Sequence, residues 1–260
     1  MNKQQVFVRY ELDGKTYFAE KEGDILHQLN AAPYNAPART GIQHKLNSVQ
    51  LLAPAAPSKI VCIGLNYKSH LGERPALEYP GMFAKYPSAL VGNEQNVIIP
   101  SDAKSVHYEG EMVIILGKHA SHISEEEAKT CIFGVTIGND ISERVWQQND
   151  LQWLRAKSSD TFAPMGPYLV TGLDYGNLEL ETRVNGEVRQ ASNTNLLIFN
   201  VPFLVSYISR YITLNPGDAI YTGTPGTTQK MVDGDVVEVE LSGVGVLRNQ
   251  IVKGEEEQSS

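Results

Sequence analysis

The sequence HYEGEMVIIL, residues 107–116, decides the fold expected for this chain. A polar helical spacer follows it, and a second apolar run, CIFGVTIGND, occupies residues 131–140. Both runs have the length and apolar character of buried β-strands. Side chains along a strand alternate between its two faces, so Glu109 and Glu111 point to the same side. The two predicted strands therefore deliver three carboxylates, Glu109, Glu111 and Asp140.

Three carboxylates with open coordination positions suit Mg²⁺, Mn²⁺ or Ca²⁺ better than zinc. The ordinary alternative is structural, because a Glu-x-Glu pair is commonly the wet face of a strand and an Asp at a strand end commonly caps the next helix. The helical pattern predicted over residues 142–154 weakens that alternative. On a helix, Asp140, Arg144 and Gln147 share one face at positions i, i+4 and i+7.

Three further motifs lie around this stretch: GLNYKSHLGE at residues 64–73, NDISERVWQ at 139–147 and KSSDTFAPMGP at 157–167. Together with YEGE at 108–111, they resemble the motifs of the fumarylacetoacetate hydrolase family, and the resemblance covers residues 59 to about 250. It implies a rolled β-sandwich, which agrees with a mixed β-rich α+β fold built from many short strands. It also implies that the three carboxylates hold Mg²⁺ or Mn²⁺, with Ca²⁺ acceptable in crystals.

The resemblance assigns roles to six other residues. His70 and Glu73 form a pair that activates water, since a carboxylate three positions on orients an imidazole and raises its basicity. The ammonium group of Lys157 stabilises negative charge on a substrate oxygen. The resemblance also implies that the substrate is contacted by Arg144, Gln147 and Thr224.

One segment and one histidine near these motifs receive no role from the resemblance. After TGTP at 222–225 the family usually continues with a Gly-Val-Gly-like stretch, whereas this chain reads GTTQK at 226–230. The shape of that loop is therefore not predicted by the resemblance. Strand alternation puts His107 on the side of Glu109 and Glu111, but the family does not use this position as a ligand.

The chain is expected to contain two domains and a tail. Residues 1–52 are a small N-terminal β-rich domain, with a hairpin at Asp13-Gly14 and a short helix beginning within residues 23–29. Residues 53–253 are the metal-binding catalytic domain. Residues 254–260 read as a disordered acidic tail.

Composition excludes several classes of function. The 260 residues carry a formal net charge of −8, which argues against nucleic acid or an anionic membrane as a partner. No apolar run approaches the length of a membrane span, and the N-terminus lacks a signal-peptide core, so a cytoplasmic location is expected. The resemblance further implies a homodimer.

A 2-oxo acid offers two oxygens, from its carboxylate and its keto group, to a metal held in this way. The leading prediction is hydrolytic C–C cleavage of an acylpyruvate-type β-diketo acid. Decarboxylation of oxaloacetate and isomerisation or decarboxylation of a 2-hydroxydienedioate use related chemistry, and the motifs do not separate these reactions. A catalytically silent metal-binding scaffold is the non-enzyme alternative, against which the intact His70, Glu73 and Lys157 argue.

Overall fold

The computed structural model describes residues 4–75 and 77–255. Residues 256–260 of the expected acidic tail lie outside the described residues. The described chain forms strands β1 Val6–Leu12, β2 Lys15–Glu22, β3 Ile25–Leu29, β4 Arg39–Lys45, β5 Gln50–Leu52, β6 Ile60–Gly64, β7 Gly81–Lys85, β8 Leu90–Val91, β9 Val97–Ile99, β10 Val106–His107, β11 Gly110–Leu116, β12 Ile132–Asn139, β13 Ser142–Glu143, β14 Ala163–Val170, β15 Glu179–Val184, β16 Glu187–Asn193, β17 Ala219–Tyr221, β18 Val236–Leu241 and β19 Gly245–Lys253. Its α-helices are α1 Lys68–Leu71, α2 Glu125–Cys131, α3 Arg144–Asn149, α4 Leu154–Ser158 and α5 Val201–Ser209.

Two large sheets form the body, which confirms the strand-rich fold expected from the sequence. The larger sheet follows the order β4-β3-β2-β1-β14-β12-β11-β17-β6-β7. In addition, β5 pairs with β1, and β8 pairs with β14. The smaller sheet follows the order β16-β15-β18-β19-β9. A two-stranded sheet of β10 and β13 stands apart from both.

Strand β11 lies inside the larger sheet and is buried along its whole length. Met112 and Ile114 pack in the core between the sheets, together with side chains of β15, β18 and β19. Val113 and Ile115 pack on the opposite side with side chains of β6, β14 and β17. Because faces alternate along a strand, Glu111 points to the side of Val113 and Ile115.

The N-terminal strands extend the larger sheet, since β1 pairs with β14. The hairpin predicted at Asp13-Gly14 is confirmed, and both residues have positive φ, as a two-residue hairpin turn requires. The helix expected within residues 23–29 is wrong, because that segment is β3, paired with β2 on one side and β4 on the other. Sheet pairing on both sides outweighs the local pattern. The division into two domains at residue 52 stays a prediction.

No helix in the described ranges is long and apolar enough to cross a membrane.

Gly138 generates a prediction about packing. A Cβ at Gly138 would lie 2.3 Å from Cε1 of Tyr221 and 2.6 Å from Cγ2 of Val113. The Tyr221 ring is fixed, because its hydroxyl donates to the Pro164 carbonyl at 3.0 Å. We expect Gly138→Ala to lower the free energy of unfolding by about 1–3 kcal/mol, as overpacking does. Urea denaturation followed by circular dichroism measures this.

The matched control is Gly176→Ala, where the nearest atom to an added methyl group would be a carboxylate oxygen of the flexible Asp174 side chain, at 3.3 Å. We expect this exposed change to stay within about 0.5 kcal/mol of the wild type. Equal stability of the two variants would show that β12 and Tyr221 are not closely packed.

Candidate active site

A cavity of about 790 Å³ opens where the start of β11 meets the end of β12. Its walls come from the end of β6, helices α1, α3 and α4, and the loop after β17. All nine residues singled out from the sequence line this cavity: His70, Glu73, Glu109, Glu111, Asp140, Arg144, Gln147, Lys157 and Thr224.

Three of them form a compact carboxylate cluster, comprising Glu109, Glu111 and Asp140. Each offers a carboxylate oxygen, and these oxygens lie within 4.8 Å of one another in a buried setting. The backbone fixes the arrangement, since Asp140 N donates to the Glu109 carbonyl at 2.8 Å. The side chain of Asn139 adds a second link, accepting from Glu109 N at 2.8 Å. The ends of two adjacent strands therefore bring the carboxylates together.

Two cations balance Glu109. Lys157 Nζ lies 2.9 Å from Glu109 Oε2 and 2.6 Å from Asp140 Oδ2, and Arg144 Nη2 donates to Glu109 Oε1. Burial alone would raise the pKa of Glu109, but the charges of Lys157 and Arg144 outweigh it and hold the pKa well below its usual range. Burial likewise works to lower the pKa of Lys157, but Asp140 and Glu109 reverse the direction and raise it.

Lys85 is a buried cation to which the sequence analysis assigns no role. Its Nζ donates to the carbonyls of Ile141 at 3.0 Å, Phe162 at 2.7 Å and Lys157. An ammonium group has three hydrogens, so these carbonyls use all of them. Asp140 Oδ1 lies 2.6 Å from the same Nζ and forms a buried ion pair with it, although it accepts no hydrogen bond of regular geometry.

Glu111 is the least compensated member of the cluster. It accepts one hydrogen bond, from Gly223 N at 2.7 Å, and forms no ion pair with any described residue. Burial, followed by the charges of Asp140 and Glu109, raises its pKa well above the usual range. A divalent cation fits here, since it would supply positive charge beside Glu111, which has no ion pair among the described residues. The oxygen donors Glu109, Glu111 and Asp140 suit Mg²⁺ or Mn²⁺.

Gly223 must be glycine for Glu111 to be held in this way. Its φ is +105°, and a Cβ would lie 2.7 Å from the Cβ of Asn66. Asn66 fixes the same turn by donating to the Thr222 carbonyl at 2.8 Å. Both residues belong to motifs recognised in the sequence, GLNY and TGTP.

His70 lies on α1 with its ring nitrogens in different surroundings. Nδ1 forms a hydrogen bond with the Gly226 carbonyl. A carbonyl only accepts, so Nδ1 carries the hydrogen and Nε2 of the neutral ring is the basic nitrogen. Nε2 lies 3.8 Å from Glu109 Oε1. Glu73 is exposed and has no hydrogen bond or ion pair with His70 among the described residues, so Gly226 rather than Glu73 orients the imidazole in this structure.

The helix expected over residues 142–154 is interrupted, and Asp140 does not lie on it. Ser142 and Glu143 form β13 instead, and the Glu143 carboxylate caps α3 by accepting from Trp146 N. The predicted helix face is therefore wrong for Asp140, which follows the end of β12. It holds for Arg144 and Gln147, whose side chains share a hydrogen bond of 2.8 Å.

The hydrogen bonds of Thr224 and His107 show how these two residues are used in the structure. Thr224 Oγ1 donates to the Gly110 carbonyl at 2.9 Å and accepts from Gln190 Nε2 at 2.8 Å, so its hydroxyl is already used. His107 lies beside the carboxylate cluster but outside it, with Thr228 Oγ1 3.0 Å from its Nδ1. Burial, with the nearby charge of Arg144, lowers the pKa of His107 to about 4. Gln190 and Thr228 were not recognisable from local sequence, because their partners are distant in the chain.

Comparison with known families identifies the class of protein. The family described as fumarylacetoacetate (FAA) hydrolase C-terminal matches residues 59–252. A second family, described as Rv2993c-like N-terminal, matches residues 7–54. The chain therefore belongs to the fumarylacetoacetate hydrolase family, as its motifs predict.

Individual relatives carry several enzyme names. The mitochondrial oxaloacetate tautomerase FAHD2A of Bos taurus is 41% identical over 216 residues, which cover 77% of this chain and 69% of the relative. A solved 2-hydroxyhepta-2,4-diene-1,7-dioate isomerase from Mycobacterium marinum has a TM-score of 0.90 at 39% identity, covering 97% of this chain and all of that one. A maleylpyruvate hydrolase from Sphingobium sp. SYK-6, solved with manganese(II) and pyruvate, has a TM-score of 0.80 at 27% identity over 96% of this chain and all of that one.

The carboxylate cluster generates a prediction about metal binding. After removal of metal with EDTA, wild-type protein should bind Mn²⁺ in isothermal titration calorimetry. Glu111→Gln and Asp140→Asn should each weaken this binding by at least about 10–100-fold, the cost usual even for outer partners of a metal site. The matched control Glu73→Gln removes a carboxylate from the same cavity but outside the cluster, and should bind as the wild type does.

His107→Ala should also retain Mn²⁺ binding, because His107 is not part of the cluster. Loss of binding in His107→Ala or Glu73→Gln, with Glu111→Gln unaffected, would identify a different set of ligands.

Proposed function

We propose that this protein is a divalent-metal-dependent enzyme that moves a proton on a 2-oxo acid or its enol, as a keto–enol tautomerase or isomerase. The observation that carries the proposal is the free basic nitrogen of His70 beside the buried carboxylate cluster. The relatives named oxaloacetate tautomerase and dienedioate isomerase, both near 40% identity, support proton transfer over other reactions of the family.

A cation held by Glu109, Glu111 and Asp140 would draw electron density from the carboxylate and keto oxygens of a 2-oxo acid, which makes the hydrogens on C3 more acidic. His70 Nε2 is the group that removes or returns that proton, because Gly226 holds the hydrogen on the other ring nitrogen. The chain thereby fixes the base in one tautomer.

Charged side chains bind the substrate and stabilise its oxygens. Lys157 places an ammonium group beside Glu109 and Asp140, where it stabilises negative charge that develops on the former keto oxygen. Arg144 binds a carboxylate with an N–H group that protein acceptors leave free, and Gln147 supports it. Arg74 also lines the cavity and forms no ion pair within the described ranges, so it suits a second carboxylate of a dicarboxylic substrate.

Hydrolytic C–C cleavage of an acylpyruvate is the second candidate. It is supported by the related maleylpyruvate hydrolase and by a cavity of about 790 Å³, which has room for water beside a small 2-oxo acid. In that reaction His70 Nε2 would activate the water. The proton-transfer proposal is preferred because the His70–Glu73 pair that water activation was expected to use is not formed in this structure.

The homodimer and the cytoplasmic location also stay predictions. The homodimer is based on the family resemblance, and the location on composition. Size-exclusion chromatography with light scattering tests the first, and a mass of one chain at micromolar concentration would contradict it.

His70→Ala tests the proposed base. With saturating Mg²⁺ or Mn²⁺, this variant should slow the enol–keto conversion of oxaloacetate, followed by ultraviolet absorbance, by about 10²–10⁴-fold, the usual contribution of a general base. Glu73→Gln should leave the rate close to that of the wild type, because Glu73 makes no hydrogen bond or ion pair with His70 in this structure. His119→Ala, which alters an exposed histidine outside the cavity, is the matched control and should match the wild type.

The same variants are assayed with an acylpyruvate and for decarboxylation of oxaloacetate. Loss of carbon dioxide needs no base, so decarboxylation should fall much less in His70→Ala. Hydrolysis of acylpyruvate without tautomerase activity would favour the second candidate. Wild-type rates in His70→Ala, or full activity after EDTA treatment, would contradict the mechanism.

A further inference from the structure

The loop of residues 226–230 is the segment in which this chain departs from the usual family pattern, and it is held firmly at both ends. Gly226 N donates to Ser69 Oγ at 3.0 Å, which joins the loop to α1. Lys230 forms a backbone bridge with His107, which joins it to β10. The intervening Thr228 is half-buried and lines the cavity. The contacts of the loop with α1 and with β10 therefore fix the position of Thr228 in the cavity.

The Thr228 hydroxyl joins Arg144 to His107. Its Oγ1 accepts from Arg144 Nη2 at 2.9 Å and lies 3.0 Å from His107 Nδ1. A hydroxyl has one hydrogen and two lone pairs, so Oγ1 can bond His107 Nδ1 in either tautomer of that ring while it accepts from the guanidinium group. His107 Nε2 in turn lies 3.0 Å from Ser105 Oγ. A chain of three side chains, Thr228, His107 and Ser105, thus supports the guanidinium group.

The donors of Arg144 divide into two sets. Nη2 uses both of its hydrogens, on Glu109 Oε1 and Thr228 Oγ1, and Nη1 uses one on Gln147 Oε1. A guanidinium has five N–H donors, so one on Nη1 and one on Nε remain. Neither has an acceptor in the described part of the chain. Three contacts from three different segments fix the plane of the group, and the remaining donors are available to a ligand.

We propose that Thr228 is a positioning residue, which holds Arg144 so that one of its remaining N–H groups meets a carboxylate of the substrate. This inference rests on the proposed function in that the substrate is a carboxylic acid. Without the hydroxyl, one hydrogen of Nη2 has no partner and the guanidinium samples several orientations. Arg144 binds a group that does not react, so the substrate and the transition state lose the same binding free energy. The change therefore raises KM and leaves kcat nearly unaltered.

The test compares Thr228→Val, which keeps the shape but loses the hydroxyl, with Thr228→Ser, which keeps the hydroxyl. With oxaloacetate and Mn²⁺, Thr228→Val should raise KM on the order of tenfold, as expected for a lost hydrogen bond to a charged group, and change kcat by less than about threefold. Thr228→Ser should restore KM to within about threefold of the wild type.

Thr130→Val is the matched control. Its hydroxyl also makes a hydrogen bond, to the Glu127 carbonyl at 2.9 Å, but Thr130 lies on α2 outside the cavity. Its KM and kcat should equal those of the wild type. An unchanged KM in Thr228→Val, or an equal loss in Thr228→Ser, would overturn the proposal, the latter because it would point to loop packing rather than the hydroxyl.

A second measurement does not depend on catalysis. Phenylglyoxal reacts with free guanidinium groups, and mass spectrometry of peptides gives the rate of its reaction with Arg144. Thr228→Val should speed this reaction at least about threefold, while Thr228→Ser and Thr130→Val should not, because only the first frees an N–H of Arg144. If the wild type turns over none of the 2-oxo acids, the proposed function fails, yet an unchanged labelling rate in Thr228→Val would still overturn the role of Thr228.

Discussion

The site depends on the cost of burying three carboxylates within a few ångströms of one another. Buried like charges repel, and each loses its hydration, so such a cluster persists only with nearby positive charge or bound protons. Lys157 and Arg144 supply positive charge to Glu109, and Lys157 and Lys85 supply it to Asp140. Glu111 has no such partner among the described residues. The cluster therefore lacks a compensating positive charge beside Glu111, and this is the physical reason for assigning a cation to it.

The strands make this cluster rigid, while loops and short helices form the rest of the cavity. Glu109, Glu111 and Asp140 stand at the paired ends of β11 and β12, and the cross-strand bonds of Asn139 and Asp140 fix their spacing. Other lining residues of the cavity come from α1, α3 and the loop after β17. A rigid carboxylate cluster beside more variable loops and short helices is compatible with the different names of its relatives, which include a tautomerase, an isomerase and a hydrolase.

Much of this was predictable because it depends on local pattern. Alternation along one strand places Glu109 and Glu111 together, and motifs with fixed spacing brought nine residues to one cavity. Contacts between distant segments were not predictable in this way. Lys85 shows this, since a lysine in a strand is usually solvated, and only the fold reveals that three carbonyls surround its ammonium group. The segment Ile25–Leu29 shows the same limit, because pairing with two neighbours made it a strand.

The loop of residues 226–230 connects two functions that the sequence motifs treat separately. The Gly226 carbonyl sets which nitrogen of His70 is basic, and Thr228 supports Arg144. Gly226 and Thr228 are two positions apart on a segment anchored to both α1 and β10. A change in the path of this loop would therefore alter the surroundings of His70, the proposed base, and of Arg144, the proposed carboxylate-binding group, while the carboxylate cluster on β11 and β12 stayed in place. The three carboxylates themselves are constrained by the pairing of β11 with β12 and by their buried charge.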